Sequence, residues 1–128
     1  MQHEITTAAP LLNAQGDIAE PGFARSLLPI YRRTDVKASP LRLKEWDYYL
    51  INNGRFALAL TIADNGYMGM DSVSLLDFEE GWEITTSPMS ILPLGKIGLP
   101  ESSARGVTKH SGKGYDICFE NKGKGQRA

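Results

Sequence analysis

Residues 43–78 read LKEWDYYLINNGRFALALTIADNGYMGMDSVSLLDF, and this stretch decides the fold. It contains two Asn-Gly pairs, Asn53-Gly54 and Asn65-Gly66, each flanked by runs rich in β-branched and aromatic residues. Asn-Gly tolerates the positive φ that a tight hairpin loop demands, so the stretch predicts three antiparallel strands joined by two short turns. If each pair forms a two-residue loop, Asp47 faces Leu60 and Leu60 faces Asp71, while Trp46 faces Thr61 and Thr61 faces Met70. Side chains alternate along a strand, so the first set shares one face of the sheet and the second set the other.

The first face then carries Glu45, Asp47, Tyr49, Ile51, Phe56, Leu58, Leu60, Ile62, Asp71, Val73 and Leu75. The second carries Trp46, Tyr48 and Leu50 beside the small Ala57, Ala59, Thr61, Ser72 and Ser74, with Met70 at one end. Neither face is uniformly polar, so both are expected to be covered, or one to line a cavity.

Outward from this core the chain offers shorter elements. Residues 1–10 read as an arm or an edge strand, and Gly16-Asp17 and Pro21-Gly22 as turns. The alternation of Leu41 and Leu43 falls out of phase with that of Trp46, Tyr48 and Leu50, which predicts a bulge or bend near Lys44-Glu45. Glu79-Glu80-Gly81 reads as a turn and residues 82–85 as a short strand. Residues 87–106 hold Pro88, Pro93 and Pro100 and leave room for an edge strand at most, with the segment expected to cross the mouth of a barrel. A last hairpin about Gly112-Lys113-Gly114 points Tyr115, Ile117 and Phe119 inward and Asp116, Cys118 and Glu120 outward. Residues 121–125 read as a further turn, followed by the start of a strand that is not completed, which would leave 115–121 with an unpaired edge. The expected architecture is all-β, an antiparallel meander forming a partial barrel or curved sheet. From the incomplete last hairpin, residues 1–128 are expected to be a single β domain and the N-terminal portion of a longer protein.

Composition narrows the function. A formal net charge of -1 with 14 basic and 15 acidic residues argues against nucleic-acid binding. No stretch approaches the ~20 apolar residues of a membrane span, and residues 1–12 lack the basic and apolar regions of a secretory leader. The lone Cys118 allows no intrachain disulfide and fits a cytoplasmic protein. His3 and His110 have no second histidine or cysteine at ligand spacing, so neither a metal nor a cofactor is expected. Arg25, Arg32, Arg33, Lys37, Arg42 and Lys44 form a basic cluster that reads as a solvated rim or a site for an anionic head group.

Two candidate sites follow from the predicted register. Asp47 and Asp71 flank one residue across three strands, roughly 9 to 10 Å apart, and an apolar surround would suit them to general acid–base catalysis. Trp46, Tyr48, Met68, Met70 and Ser72 are the candidate lining for a lipophilic small molecule, since aromatics and methionine adapt to irregular apolar shapes.

The string Lys44-Glu45-Trp46-Asp47-Tyr48-Tyr49, with Gly22-Phe23-Ala24-Arg25 before it and Leu99-Pro100-Glu101-Ser102-Ser103 and Gly106 after it, resembles the N-terminal portion of a mostly bacterial family called domain of unknown function 2804. The resemblance covers most of residues 11–128. It implies a distant relation to lipocalin-like proteins that include carotenoid hydratases, a calycin-like barrel, and a second β-barrel domain as partner. Three readings result: a module contacting a lipophilic molecule or a second β domain, a hydratase or lyase using a shielded aspartate as general acid, and a purely structural interdomain sheet.

Overall fold

A computed structural model describes residues 2–128, and Met1 lies outside them. The meander forms as read, as β3 (Glu45–Asn52), β4 (Phe56–Asp64) and β5 (Met68–Asp77), preceded by the short β1 (Ala9–Pro10) and β2 (Pro29–Ile30) and by one 3₁₀ turn at Arg33–Asp35. The chain continues through β6 (Trp82–Thr86), β7 (Met89–Ile91), β8 (Gly106–Gly112), β9 (Tyr115–Gly123) and β10 (Gln126–Arg127). β3, β4, β5 and β6 lie side by side in that order, with β7 also on β5, and a second sheet runs β10-β9-β8. Both sheets are antiparallel and neither closes into a barrel, while β1 and β2 pair in parallel apart from them.

The register differs from expectation by two residues in both hairpins. Asn53 donates its N–H to the Phe56 carbonyl, so the loop is Gly54-Arg55, and Asn65 donates to Met68, so the second loop is Gly66-Tyr67. Each asparagine thus sits before the loop. The Asn53 side-chain oxygen accepts from the Arg55 and Phe56 amides, which is the local bond that favours Asn at the start of a turn. Gly66 is required for two reasons: its φ is +75°, and a Cβ there would lie 2.2 Å from the Pro40 carbonyl oxygen. Asp47 and Asp71 consequently flank Ile62 and not Leu60, whose neighbours are Tyr49 and Val73. A shift of two keeps every side chain on its predicted face, whereas a shift of one would have reversed them all.

The other expectations have mixed outcomes. Of the bulge or bend expected near Lys44-Glu45, the structure has the bend: β3 starts at Glu45 in continuous register, and just before it the Arg42 and Leu43 amides bond back to Ser39 in a turn. The segment 87–106 covers no barrel mouth: β7 lies on β5, and the Leu92 and Leu94 amides bond to the Tyr67 and Gly66 carbonyls. The expected unpaired edge of β9 is shortened but not closed: β10 pairs with Asn121 and Gly123, Ala128 exchanges two backbone hydrogen bonds with Glu120, and residues 115–119 have no strand partner on that side among the described residues. Covering of both faces also fails, since Trp46, Tyr48 and Leu50 are half exposed or more on one face and Ile51 and Ile84 on the other.

The second sheet lies over one end of the Asp47/Ile62/Asp71 face. The Phe119 ring packs on Tyr49 with centroids 4.6 Å apart, and Ile62 beneath is fully buried. Burying one such isoleucine contributes about 1.5 to 3 kcal/mol. Turns are tied down by carboxylates: Asp64 accepts from the Gly66 and Gly95 amides, and Asp77 from Arg55 and the Glu79 and Glu80 amides.

Candidate functional site

The seam between the sheets is polar where the two aspartates stand. Thr108 and His110 alternate along β8 and so share its inward face, while across the turn Tyr115 occupies the inward face of β9. Thr108 Oγ1 donates to Asp47 Oδ2. His110 Nδ1 lies 2.6 Å from Asp71 Oδ2, and the Tyr115 hydroxyl donates to the same oxygen at 2.7 Å.

Asp71 is 2% exposed, and its other oxygen, Oδ1, is buried with no hydrogen-bond partner among the described residues. An unpaired buried carboxylate oxygen is unusual, because each such atom forfeits the water it would otherwise bind. His110 is partly open, its side chain 27% exposed. With Nδ1 held by the carboxylate, the remaining ring nitrogen, Nε2, is the one left to exchange a proton with anything entering the seam. The bond to Asp71, then burial, then the carboxylate's charge push the Tyr115 hydroxyl up to about 12. Tyr115 therefore stays a hydrogen-bond donor throughout the neutral range.

Two clefts adjoin the seam, both along β3. One of about 340 Å³ is bordered by Glu45, Trp46 and Asp47 and faced by Tyr31, Leu99 and Pro100. Its floor is held by Glu45, which accepts from the Tyr31 hydroxyl at 2.8 Å and from Arg33 Nε at 2.8 Å, while Arg33 also donates to the Leu99 carbonyl. Burial first, and the bond to Glu45 next, raise Tyr31 to about 12. The other cleft, about 350 Å³, is apolar, with Tyr49, Ile51, Leu60 and Phe119 as walls and Arg127 at one side.

The predicted ligand residues lie elsewhere. Trp46, Tyr48, Met68, Met70 and Ser72 occupy the sheet face opposite Asp47 and Asp71, as their alternation requires. Trp46 and Tyr48 are 63% and 55% exposed, Met70 stands opposite Met89 on β7, and Ser72 Oγ meets Ser87 Oγ at 2.9 Å. Only Trp46 among them also borders a cleft described above. Of the basic cluster, Arg33 is committed to Glu45 and Arg25 to Glu4, so it does not converge as one site.

Sequence reasoning passed over His110 and Thr108. The signal was available: a two-residue loop at Lys113-Gly114 pairs His110 with Ile117 and Thr108 with Phe119, both predicted to point inward. Among the described residues no group of three or more histidine, cysteine, aspartate or glutamate side chains is placed to hold a metal ion. No helix is long and apolar enough to cross a membrane.

No curated protein and no solved structure matches the chain. A family model described as "Domain of unknown function (DUF2804)" matches residues 2–128, and by that match the chain belongs to this family.

Proposed function

We propose that the seam is an acid–base site of the hydratase or lyase type acting on a lipophilic small molecule. The observation that carries this reading is the buried Asp71 carboxylate, with one oxygen shared by His110 and Tyr115 and the other unpartnered. A fully satisfied carboxylate would suffice to join two sheets; the free oxygen and the open Nε2 leave capacity for a ligand. In this reading Asp71 is the shielded aspartate, but it acts through His110, fixing the ring and stabilising its charged form. His110 delivers a proton to one carbon of an alkene, water adds to the other, and the proton released by that water returns to His110. Asp47, held by Thr108 in the same row, is the second carboxylate on the substrate's path. The apolar cleft beside Tyr49, Leu60 and Phe119 is where the hydrocarbon would lie.

The test is incorporation of heavy oxygen from labelled water into a panel of unsaturated fatty acids and polyenes, followed by mass spectrometry. Incorporation is expected, and His110→Gln and Asp71→Asn should each lower it by about a hundredfold or more. No incorporation across the panel, or unchanged rates in both variants, defeats the proposal.

A second reading is favoured by the same apolar cleft: a module that binds a lipophile without changing it. Here Trp46, Tyr48, Met68, Met70 and Ser72 would form the surface presented to a further β domain. Stabilisation of the purified protein by a polyene, with no turnover, would select this reading.

A further inference from the structure

β3 is an outer strand of its sheet, bonded to β4 alone. Which backbone groups face outward follows from the turn. Asn53 and Phe56 are a hydrogen-bonded pair, and such pairs alternate along an antiparallel ladder, so Ile51, Tyr49, Asp47 and Glu45 direct their N–H and C=O groups at β4. Trp46, Tyr48, Leu50 and Asn52 direct theirs away from it. None of these four residues has a backbone hydrogen bond on that side among the described residues.

Outer strands are usually protected by charged side chains, proline, a bulge or a covering segment, and the only charges on β3, Glu45 and Asp47, lie at its N-terminal end. β3 has no lysine and no proline, and its register runs unbroken from Glu45 to Asn52. Two separate clefts open along it, one at residues 44–47 and the other at residues 49–51. From Tyr48 to Ile51 its side chains are apolar on both faces, with Trp46 continuing one of them, while the two acids of the other face are tied up, Glu45 by Tyr31 and Arg33 and Asp47 by Thr108. Each cleft offers apolar walls beside the strand, Leu99 and Pro100 in one and Phe119 in the other.

We propose that β3 is a receiving edge, to which a partner polypeptide adds one extended strand that is apolar on both faces. Strand addition takes its affinity from main-chain hydrogen bonds and its selectivity from side-chain pockets on alternate sides, and both are present here. The chemistry of the guest is that of β4, Phe-Ala-Leu-Ala-Leu-Thr-Ile-Ala-Asp, which already satisfies the other edge of β3.

The probe is therefore a synthetic peptide with the sequence of residues 55–64, carrying added lysines at both ends for solubility, and the readout is amide hydrogen exchange by NMR on the whole chain. The peptide should slow exchange at Trp46, Tyr48, Leu50 and Asn52 by about tenfold or more and leave Tyr49 and Ile51, already bonded to β4, unchanged. Tyr48→Pro removes an outward N–H without touching the β4 ladder, so it should keep the native circular dichroism and lose peptide binding. No change at the four amides with peptide at about 1 mM overturns the proposal. Concentration-dependent self-association that protects the same amides without peptide also overturns it, in favour of a second copy as the occupant.

Discussion

Two rows of side chains on the same face of the main sheet invert the usual rule of burial. Asp47, Ile62 and Asp71 form one row, and it lies under the second sheet with Asp71 only 2% exposed. Four residues along each strand, roughly 13 Å away, Ile51, Leu58, Leu75 and Ile84 form another. Ile51, Leu75 and Ile84 in that row are 61%, 41% and 65% exposed. The charged row is inside and the aliphatic row outside. What separates them is the placing of β8 and β9, which set Thr108, His110 and Tyr115 over the Asp47/Asp71 row and bring with them the hydroxyls and imidazole that make a buried carboxylate tolerable.

The contrast can be broken most severely at Ile62. Ile62→Ala should lower the unfolding free energy by about 2 to 4 kcal/mol in urea denaturation, because the side chain is fully enclosed and the cavity cannot collapse under two strands and a second sheet. Asp71→Ala comes next, at about 2 to 3 kcal/mol, since it leaves His110 and Tyr115 without their shared acceptor inside the seam. Thr108→Val, which removes one hydroxyl donor to Asp47, should lower stability by about 1 kcal/mol. In the exposed row, Ile84→Ser should change the unfolding free energy by no more than about 0.5 kcal/mol. An Ile84→Ser effect as large as that of Ile62→Ala would mean that the aliphatic row is covered in solution.

The tyrosines sharpen the same comparison through pH. Tyr31 and Tyr115 each titrate near 12 when folded, above the ordinary value of about 10. A raised folded value favours the protonated phenol, so the stabilisation is complete below about pH 10 and disappears as pH rises from there towards 12. Phenolate absorbance should therefore show two late tyrosines, and Tyr115→Phe should remove one of them. If Tyr115→Phe leaves the late class at two, Tyr115 is not bonded to Asp71 in solution.

Much of this was legible from local chemistry. Asn53-Gly54 and Asn65-Gly66 announced two hairpins, and the even period of a strand preserved the faces although both loops fell one residue later than expected. The placing of Tyr115, Ile117 and Phe119 inward needed only alternation, and Phe119 is buried while Tyr115 and Ile117 are half-buried, with Tyr115 on Asp71. The partner of Asp71 was another matter. His110 lies 39 positions further along the chain, and nothing near either residue indicates which row of the first sheet the last hairpin covers. Segment 87–106 was similarly opaque, since its prolines exclude a long strand without stating what its free amides will bond to.

By itself the sequence determined strands, turns and the side on which each residue stands, because these depend on φ restrictions and on a period of two, both local. Tertiary structure alone decided which part of each face is buried, that Asp71 and not Asp47 receives His110 and Tyr115, and that β3 keeps an open edge. Those outcomes depend on where one sheet comes to rest upon another, a choice made by the summed packing of distant residues and written in no single stretch of the chain.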